Sequence, residues 1–218
     1  MAISKGEFVE ISFTGRVNGA VFDSNIKEDL KELDAKAEVK KMVVCVGERM
    51  LVKGFDAELE GKEIGKKYEI HIPFKDGFGP RRQDLVKTIP LKVFTAQNIH
   101  PRPGSSFVMD GMLARVITVS GARVITDFNN PLAGKDLDYS FTIKRKVDDR
   151  KEMAESLFDF FFRFVPEMEV SDKLTVKGPK QMEDVLNIFK ERFEKLLGFS
   201  IVFLEAKPEK ATAPETSQ

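Results

Sequence analysis

The stretch Val46-Gly47-Glu48-Arg49-Met50-Leu51-Val52-Lys53-Gly54-Phe55-Asp56-Ala57-Glu58-Leu59-Glu60-Gly61 reads as a buried strand end that gives way to one short helix, Gly54 to Gly61, with a glycine stop. The elements on either side are β-like. Just upstream, Met42 to Val46 is a short apolar run with β-branched residues, the signature of a buried strand. Downstream, Tyr68, Ile70, Ile72 and Phe74 share one face of a further strand, and His71 falls on its other, solvated face. Further upstream, apolar and polar residues alternate through Val9-Glu10-Ile11-Ser12-Phe13-Thr14. Asn18-Gly19 then predicts a hairpin, because a type I′ turn needs positive φ at both central residues. Between that hairpin and Met42, the stripe Ile26, Leu30, Leu33 and Ala37 predicts a helix over 26–39.

Beyond Pro80 the chain stays β-rich. Leu85 to Leu91 and Phe107 to Met109 are candidate strands, and Leu113–Val119 and Ala122–Phe128 flank Ser120-Gly121 as a hairpin. Leu137, Tyr139, Phe141 and Ile143 alternate with polar residues, as a strand returning to the first sheet would. The charge follows the same divisions. Net charge is −2 over 1–80, +4 over 81–134, +2 over 135–147 and −4 over 148–218, which suggests a segment inserted into a first domain and a boundary near 148. After 148 the period is helical. Met153, Leu157, Phe158, Phe160, Phe161, Phe162, Phe164 and Val165 make a helix apolar nearly all round, which must be covered on more than one side. A strand near Leu174-Thr175-Val176 follows. A second helix opens at Gly178-Pro179 and is stopped by Gly198, and a last strand spans Phe199–Leu204. Residues 207–218 read as a disordered tail.

Composition narrows the chemistry. The 218 residues are 42% hydrophobic and 32% charged, enough apolar material for packed cores. There is no apolar run of membrane-spanning length, and MAISKGEFVE reads as a mature cytosolic start, so a cytoplasmic location is expected. One cysteine, Cys45, excludes an internal disulfide, and His71 and His100 leave little material for a metal site. Gly77-Phe78-Gly79-Pro80 runs into proline, not a helix, and does not cradle phosphate; phosphate-loop, nucleophile-elbow and zinc-protease patterns are missing from the sequence. Arg81, Arg82, Arg102, Arg115 and Arg123 are dispersed, which argues against nucleic acid. An enzyme built from this chain works without a metal or a covalent nucleophile.

Ordered motifs carry a resemblance. Phe22-Asp23-Ser24, Val46-Gly47-Glu48, Leu51-Val52-x-Gly54-Phe55-Asp56-x-x-Leu59-x-Gly61-x-x-x-Gly65, Phe78-Gly79-Pro80 and Asp127-Phe128-Asn129-x-Pro131-Leu132-Ala133-Gly134 resemble the FKBP-type peptidyl-prolyl isomerases. The last motif, following an insertion of ~50 residues, is similar to the SlyD-like branch with an insert-in-flap domain, and the region past 148 is similar in layout to long-chain archaeal members. The resemblance implies an α+β fold with four parts: an FKBP-like antiparallel sheet wrapped on a short helix (1–80 and 134–147), an inserted β-rich chaperone domain (81–133), a C-terminal α/β dimerisation domain (148–206), and the tail. It implies an isomerase pocket formed by Phe13, Phe22, Asp23, Met42, Leu51, Val52, Phe55, Phe78 and Tyr139, with no cofactor. Phe13 and Phe78 stand where relatives often carry Tyr, Phe55 where they carry Trp, and Asn130 where the branch often has His.

For each Phe, plain core packing is the competing reading, and for Asp23 it is a helix cap. Val86, Ile89, Val93, Phe94, Phe107, Met109 and Met112 are the candidates for an exposed client-binding surface, against an ordinary small core. Three function classes follow: a prolyl isomerase with chaperone activity, a catalytically weak binding module acting as a dimeric holdase, and a scaffold whose C-terminal part recruits a partner. Expected partners are unfolded or proline-containing polypeptides and a second copy of the chain.

Overall fold

The computed structural model describes residues 2–34 and 36–206, so the tail expected at 207–218 lies outside the described residues. Its first part runs β1 (Phe8–Val17), β2 (Ala20–Ser24), α1 (Lys27–Leu33), β3 (Met42–Cys45), α2 (Lys53–Leu59) and β4 (Lys67–Ile72). The middle runs β5 (Val86–Pro90), α3 (Leu91–Ala96), β6 (Ser106–Met109), β7 (Met112–Ser120) and β8 (Arg123–Asp127). After β9 (Leu137–Lys146) come α4 (Arg150–Phe162), β10 (Glu167–Val170), β11 (Leu174–Gly178), α5 (Gln181–Leu197) and β12 (Ile201–Glu205). The architecture is α+β.

The first sheet has five antiparallel strands. β1 is its spine: one edge takes β3 along Phe8–Ile11 and β2 along Thr14–Val17, and the other edge takes β9. β9 carries β4 on its far side. Asn18 (φ 50°) and Gly19 (φ 83°) both adopt the left-handed conformation that joins β1 to β2. The alternation in β9 buries Leu137, Tyr139, Phe141 and Ile143, and α2 lays Phe55 and Leu59 on that face. α1 is shorter than the stripe over 26–39 predicts. It has no buried residue, and it is held by polar contacts instead: Asp29 accepts from the Thr14 hydroxyl and pairs with Arg16 at 3.0 Å.

The middle segment forms its own four-stranded sheet, β5-β8-β7-β6, over a small core of Phe94, Val116 and Val124. Its turns are glycine-dependent. Gly121-Ala122 makes the β7–β8 loop, one residue later than the sequence suggests, and Asp110-Gly111, both left-handed, makes the β6–β7 turn. The two segments that lead into and out of this unit are bonded to each other. Asn129 Oδ1 accepts the Arg82 N–H (2.8 Å) while its amide donates to the Arg82 carbonyl (2.9 Å). Arg81 grips Asp127 at 2.6 Å, and the Gly134 N–H reaches the Gly79 carbonyl at 2.7 Å.

In the C-terminal unit β11 pairs antiparallel with β10 and parallel with β12, and α5 is the crossover that a parallel pair requires. Asp149 caps α4 by accepting the Glu152 N–H, and Gly198 ends α5 in the left-handed conformation. The apolar helix ends at Phe162 and is covered in part within one chain, while Phe164 and Val165 beyond it are exposed. Phe158 and Phe161 pack on Phe193, and Phe161 and Phe162 on Phe189 of α5, while α4 also lies against β3. An ionic cluster fastens the same junction, with Arg145 bridging Glu10 and Glu152 and Lys41 joining Glu152.

Phe158 is fully buried, whereas Phe164, six residues on, is 47% exposed. Phe158→Ala is expected to destabilise the chain by ~3–5 kcal/mol in urea unfolding. Phe164→Ala is expected to change stability by less than about 0.5 kcal/mol.

Candidate functional site

Six aromatic rings converge where α2 meets the first sheet. Phe55 is the floor: its ring lies 4.6 Å from Tyr139 and 4.9 Å from Phe141, with Phe13 edge-on at 6.0 Å. Phe22 stands on edge against Tyr139 at 5.7 Å and meets Phe78 in the same way at 6.4 Å. Phe13, Phe55 and Tyr139 are buried, while Phe22 and Phe78 are half-buried and form a rim open to solvent. The strands supply this arrangement: Phe13 and Tyr139 alternate onto one face of β1 and β9, and β2 brings Phe22 beside them. Leu51 and Val52 lead into α2, both half-buried. Val52 precedes the first turn of α2, and its N–H donates to no other group among the described residues.

Met42 lies on β3 opposite Ile11, half-buried against the core that holds the rings, and it also lines a cleft against α4 with Val44, Met50 and Phe160.

Gly15 makes the packing possible, and the sequence gives no sign of it. A Cβ on Gly15 would sit 2.7 Å from the Phe22 ring and 2.8 Å from the Tyr139 ring, so only glycine lets both rings close over β1. A bulge between Gly15 and Arg16 sets the register that pairs Gly15 with Asp23. The β2 end is then held by a polar lattice. Asn25 accepts the Phe13 N–H (2.8 Å) and donates to the Ile11 carbonyl (2.8 Å), and the Ser24 hydroxyl donates to the Phe13 carbonyl (3.0 Å). It is Ser24 Oγ, not Asp23, that receives the Ile26 N–H ahead of α1, so Asp23 is not the helix cap.

Asp23 is exposed at its outer edge, yet desolvation by the apolar groups around it raises its carboxyl above the ordinary value, against a lowering contact from the Ser24 N–H. Burial raises the Tyr139 phenol far above its usual range, and the negative charge of Asp23 adds to this. The Tyr139 phenol is therefore protonated at neutral pH. Cys45, buried under β1, has its thiol pushed up to about 12, chiefly by burial, and is chemically quiet. His71 is exposed on β4 and bonds Asp138 at 2.7 Å, the solvated strand histidine that the alternation predicts. No group of three or more acidic, His or Cys side chains is placed to hold a metal among the described residues.

On the insert, Phe94 is 0% exposed, so it is a core residue and not part of an exposed client surface. Ile89, Phe107 and Met109 pack partly against it, Val86 and Val93 are half-buried, and Met112 is exposed. The sheet's solvent-facing apolar residues include three that the sequence reading omitted: Val108 (65% exposed), Leu113 and Ile117. Leu113 and Ile117 alternate with the buried Ala114 and Val116 along β7. They border a cleft of about 640 Å³ that Asn130, Pro131, Arg115 and Lys135 also line.

The chain was compared with known families and proteins. A family model described as FKBP-type peptidyl-prolyl cis-trans isomerase matches residues 1–93, and one described as FKBP26, IF domain matches residues 87–132. A short-type peptidyl-prolyl cis-trans isomerase of Methanocaldococcus jannaschii is 34% identical over 145 residues, spanning 65% of this chain and 91% of the relative. The FKBP-type isomerase SlyD of Haemophilus influenzae is 28% identical, spanning 66% of this chain and 72% of its own length. SlyD of Aeromonas hydrophila is 33% identical, spanning 57% and 58%. The ring cluster on a short helix, the insert between β4 and β9 and these matches lead to one assignment: the chain belongs to the FKBP-type peptidyl-prolyl cis-trans isomerases and is an enzyme of that family carrying an insert-in-flap domain.

Proposed function

We propose that the chain isomerises X-Pro bonds in the aromatic cluster of Phe13, Phe22, Phe55, Phe78 and Tyr139, and that the inserted sheet holds unfolded segments beside it. The observation that carries the first part is the ring geometry: a buried floor, two half-buried rim rings and a free Val52 N–H at its edge.

The physics asks for nothing more reactive. An X-Pro bond is held planar by C–N double-bond character, with a barrier of about 18–20 kcal/mol, and exchanges unaided in ~10–100 s. Twisting the bond removes the resonance that makes the amide dipolar. A site without water disfavours the planar state more than the twisted one. An acceleration of about 10⁴-fold needs only ~5.5 kcal/mol. In this reading Phe22 and Phe78 flank the proline ring over Phe55 and Tyr139. Val52 N–H holds a substrate carbonyl, Leu51 lines the approach, and Asp23 acts on the twisted carbonyl by its charge. Met42 supports β3 against the same core.

For the insert, the observation is its exposed apolar face of Val108, Leu113 and Ile117 beside the cleft. A half-apolar, mildly basic sheet suits extended, unfolded polypeptide. We also propose that the C-terminal unit pairs with a second copy of the chain, through the outer face of α5. Val185 and Ile188 lie three residues apart there, and Ile188 is 78% exposed.

These readings give four tests. In an exchange assay on a proline tetrapeptide, Phe22→Ala and Phe55→Ala are expected to lower kcat/KM by about 10- to 100-fold. Activity is expected to fall in acid as the Asp23 carboxyl protonates, above the ordinary value of 3.8, and Asp23→Asn is expected to abolish that limb. Deleting residues 81–133, whose flanks the Gly134–Gly79 hydrogen bond already brings together, is expected to spare tetrapeptide exchange and weaken refolding of an unfolded protein. Unchanged refolding defeats the chaperone reading. In sedimentation, the full chain is expected to run as a dimer and Ile188→Glu as a monomer.

A further inference from the structure

The approach to α2 is a segment held from several sides: the Cys45 carbonyl accepts the Glu48 N–H (3.3 Å), and the buried Met50 sulfur accepts the Cys45 N–H (3.1 Å). Between β3 and α2, Gly47 (φ 85°) and Arg49 (φ 59°) both lie in the left-handed region, and Arg49 has a Cβ that disfavours it. From the inside, Asp56 on α2 accepts the N–H groups of Gly47 and Arg49, each at 3.1 Å. Asp56 is 5% exposed and sits next to Phe55 in sequence, so the segment and the pocket floor share one anchor. From the outside, α5 grips Glu48. Arg192 donates to Glu48 Oε2 from Nε (3.0 Å) and Nη2 (2.6 Å), and Nη2 also reaches the Glu48 carbonyl at 3.3 Å. The guanidinium lies 4.8 Å from the Phe161 ring of α4, which orients it. Three residues after Glu48 the chain reaches Leu51 and then Val52.

We propose that Arg192 is a positioning residue for the isomerase site: by clamping Glu48 it fixes the segment 47–50 and thereby the place of Leu51 and the Val52 N–H. It never meets substrate. The C-terminal unit is then part of the site's geometry, not an appendage to it, and whatever engages α5 acts on the pocket through this contact. Two further ion pairs between the two halves, Arg145 and Lys41 to Glu152, do not touch Glu48. The inference rests on the pocket proposed above.

The full-length chain is tested with a proline tetrapeptide. Arg192→Ala is expected to raise KM about three- to tenfold with kcat within about twofold, the mark of a lost binding geometry. Hydrogen exchange at Arg49–Val52 is expected to quicken. Arg192→Lys keeps the charge without the planar fork and should fall between the two. Glu48→Gln keeps the shape of its side chain and reads the contact from the other end. The exchanged pair Glu48→Arg/Arg192→Glu should restore KM. Glu152→Gln, which loosens the same interface elsewhere, should lower Tm and leave KM alone. If Arg192→Ala and Glu48→Gln keep the parent KM while Phe22→Ala loses activity, Arg192 is structural only and the pocket stands. If Phe22→Ala and Phe55→Ala are as active as the parent, the pocket reading itself fails.

Discussion

The packing of Phe55 against Tyr139 and Phe141 is the contact on which the rest depends. A helix of seven residues, such as α2, is far too short to persist alone in water. It exists because Phe55 and Leu59 are buried on the face of β9 and because Asp56 ties its start to the preceding segment. The same rings that stabilise the helix make the apolar floor. The surface proposed to act on substrate and the hydrophobic core are thus one layer seen from two sides, with the one carboxylate, Asp23, at its exposed edge. A polar group on that floor would be a buried, unsatisfied group in the core.

The surrounding parts attach to this layer by polar, directional contacts. Asn25 and Ser24 fix β2 to β1, Asn129 and Arg81 fix the insert, and Arg192 fixes the α2 approach. Apolar packing tolerates small slips, whereas hydrogen bonds with both partners defined do not. The division of labour is clear at the insert. Its own core of Phe94, Val116 and Val124 is separate from the larger one, so it is joined to the first part through the two bonded segments and not by a shared interior.

Much of this was legible in the residues. Alternation placed β1 and β9, Asn18-Gly19 placed the first hairpin, and the ordered motifs brought Phe22, Phe55, Phe78 and Tyr139 to one site. What escaped did so for physical reasons. The role of Gly15 depends on two rings distant in sequence closing over one Cα, which no local pattern records. The stripe over 26–39 has helical spacing but no apolar surface to meet, so α1 stays short and exposed. Phe94 looked available because composition cannot say which face of a small sheet an apolar residue takes. Pairing decides that, and it leaves Leu113 and Ile117 outside instead. The Phe-rich α4 finds most of its cover in α5, which a count of apolar residues per helix does not foresee.

The position of β9 has a consequence for biosynthesis. It is the strand that joins β1 to β4, yet it is made after the whole insert. While the polypeptide leaves the ribosome, the first 80 residues lack their middle strand and cannot close their sheet, whereas the hairpins of the insert pair with near neighbours in sequence and need not wait. The chain therefore passes through a nascent stage in which the part proposed to shelter unfinished chains is complete before the part proposed to catalyse.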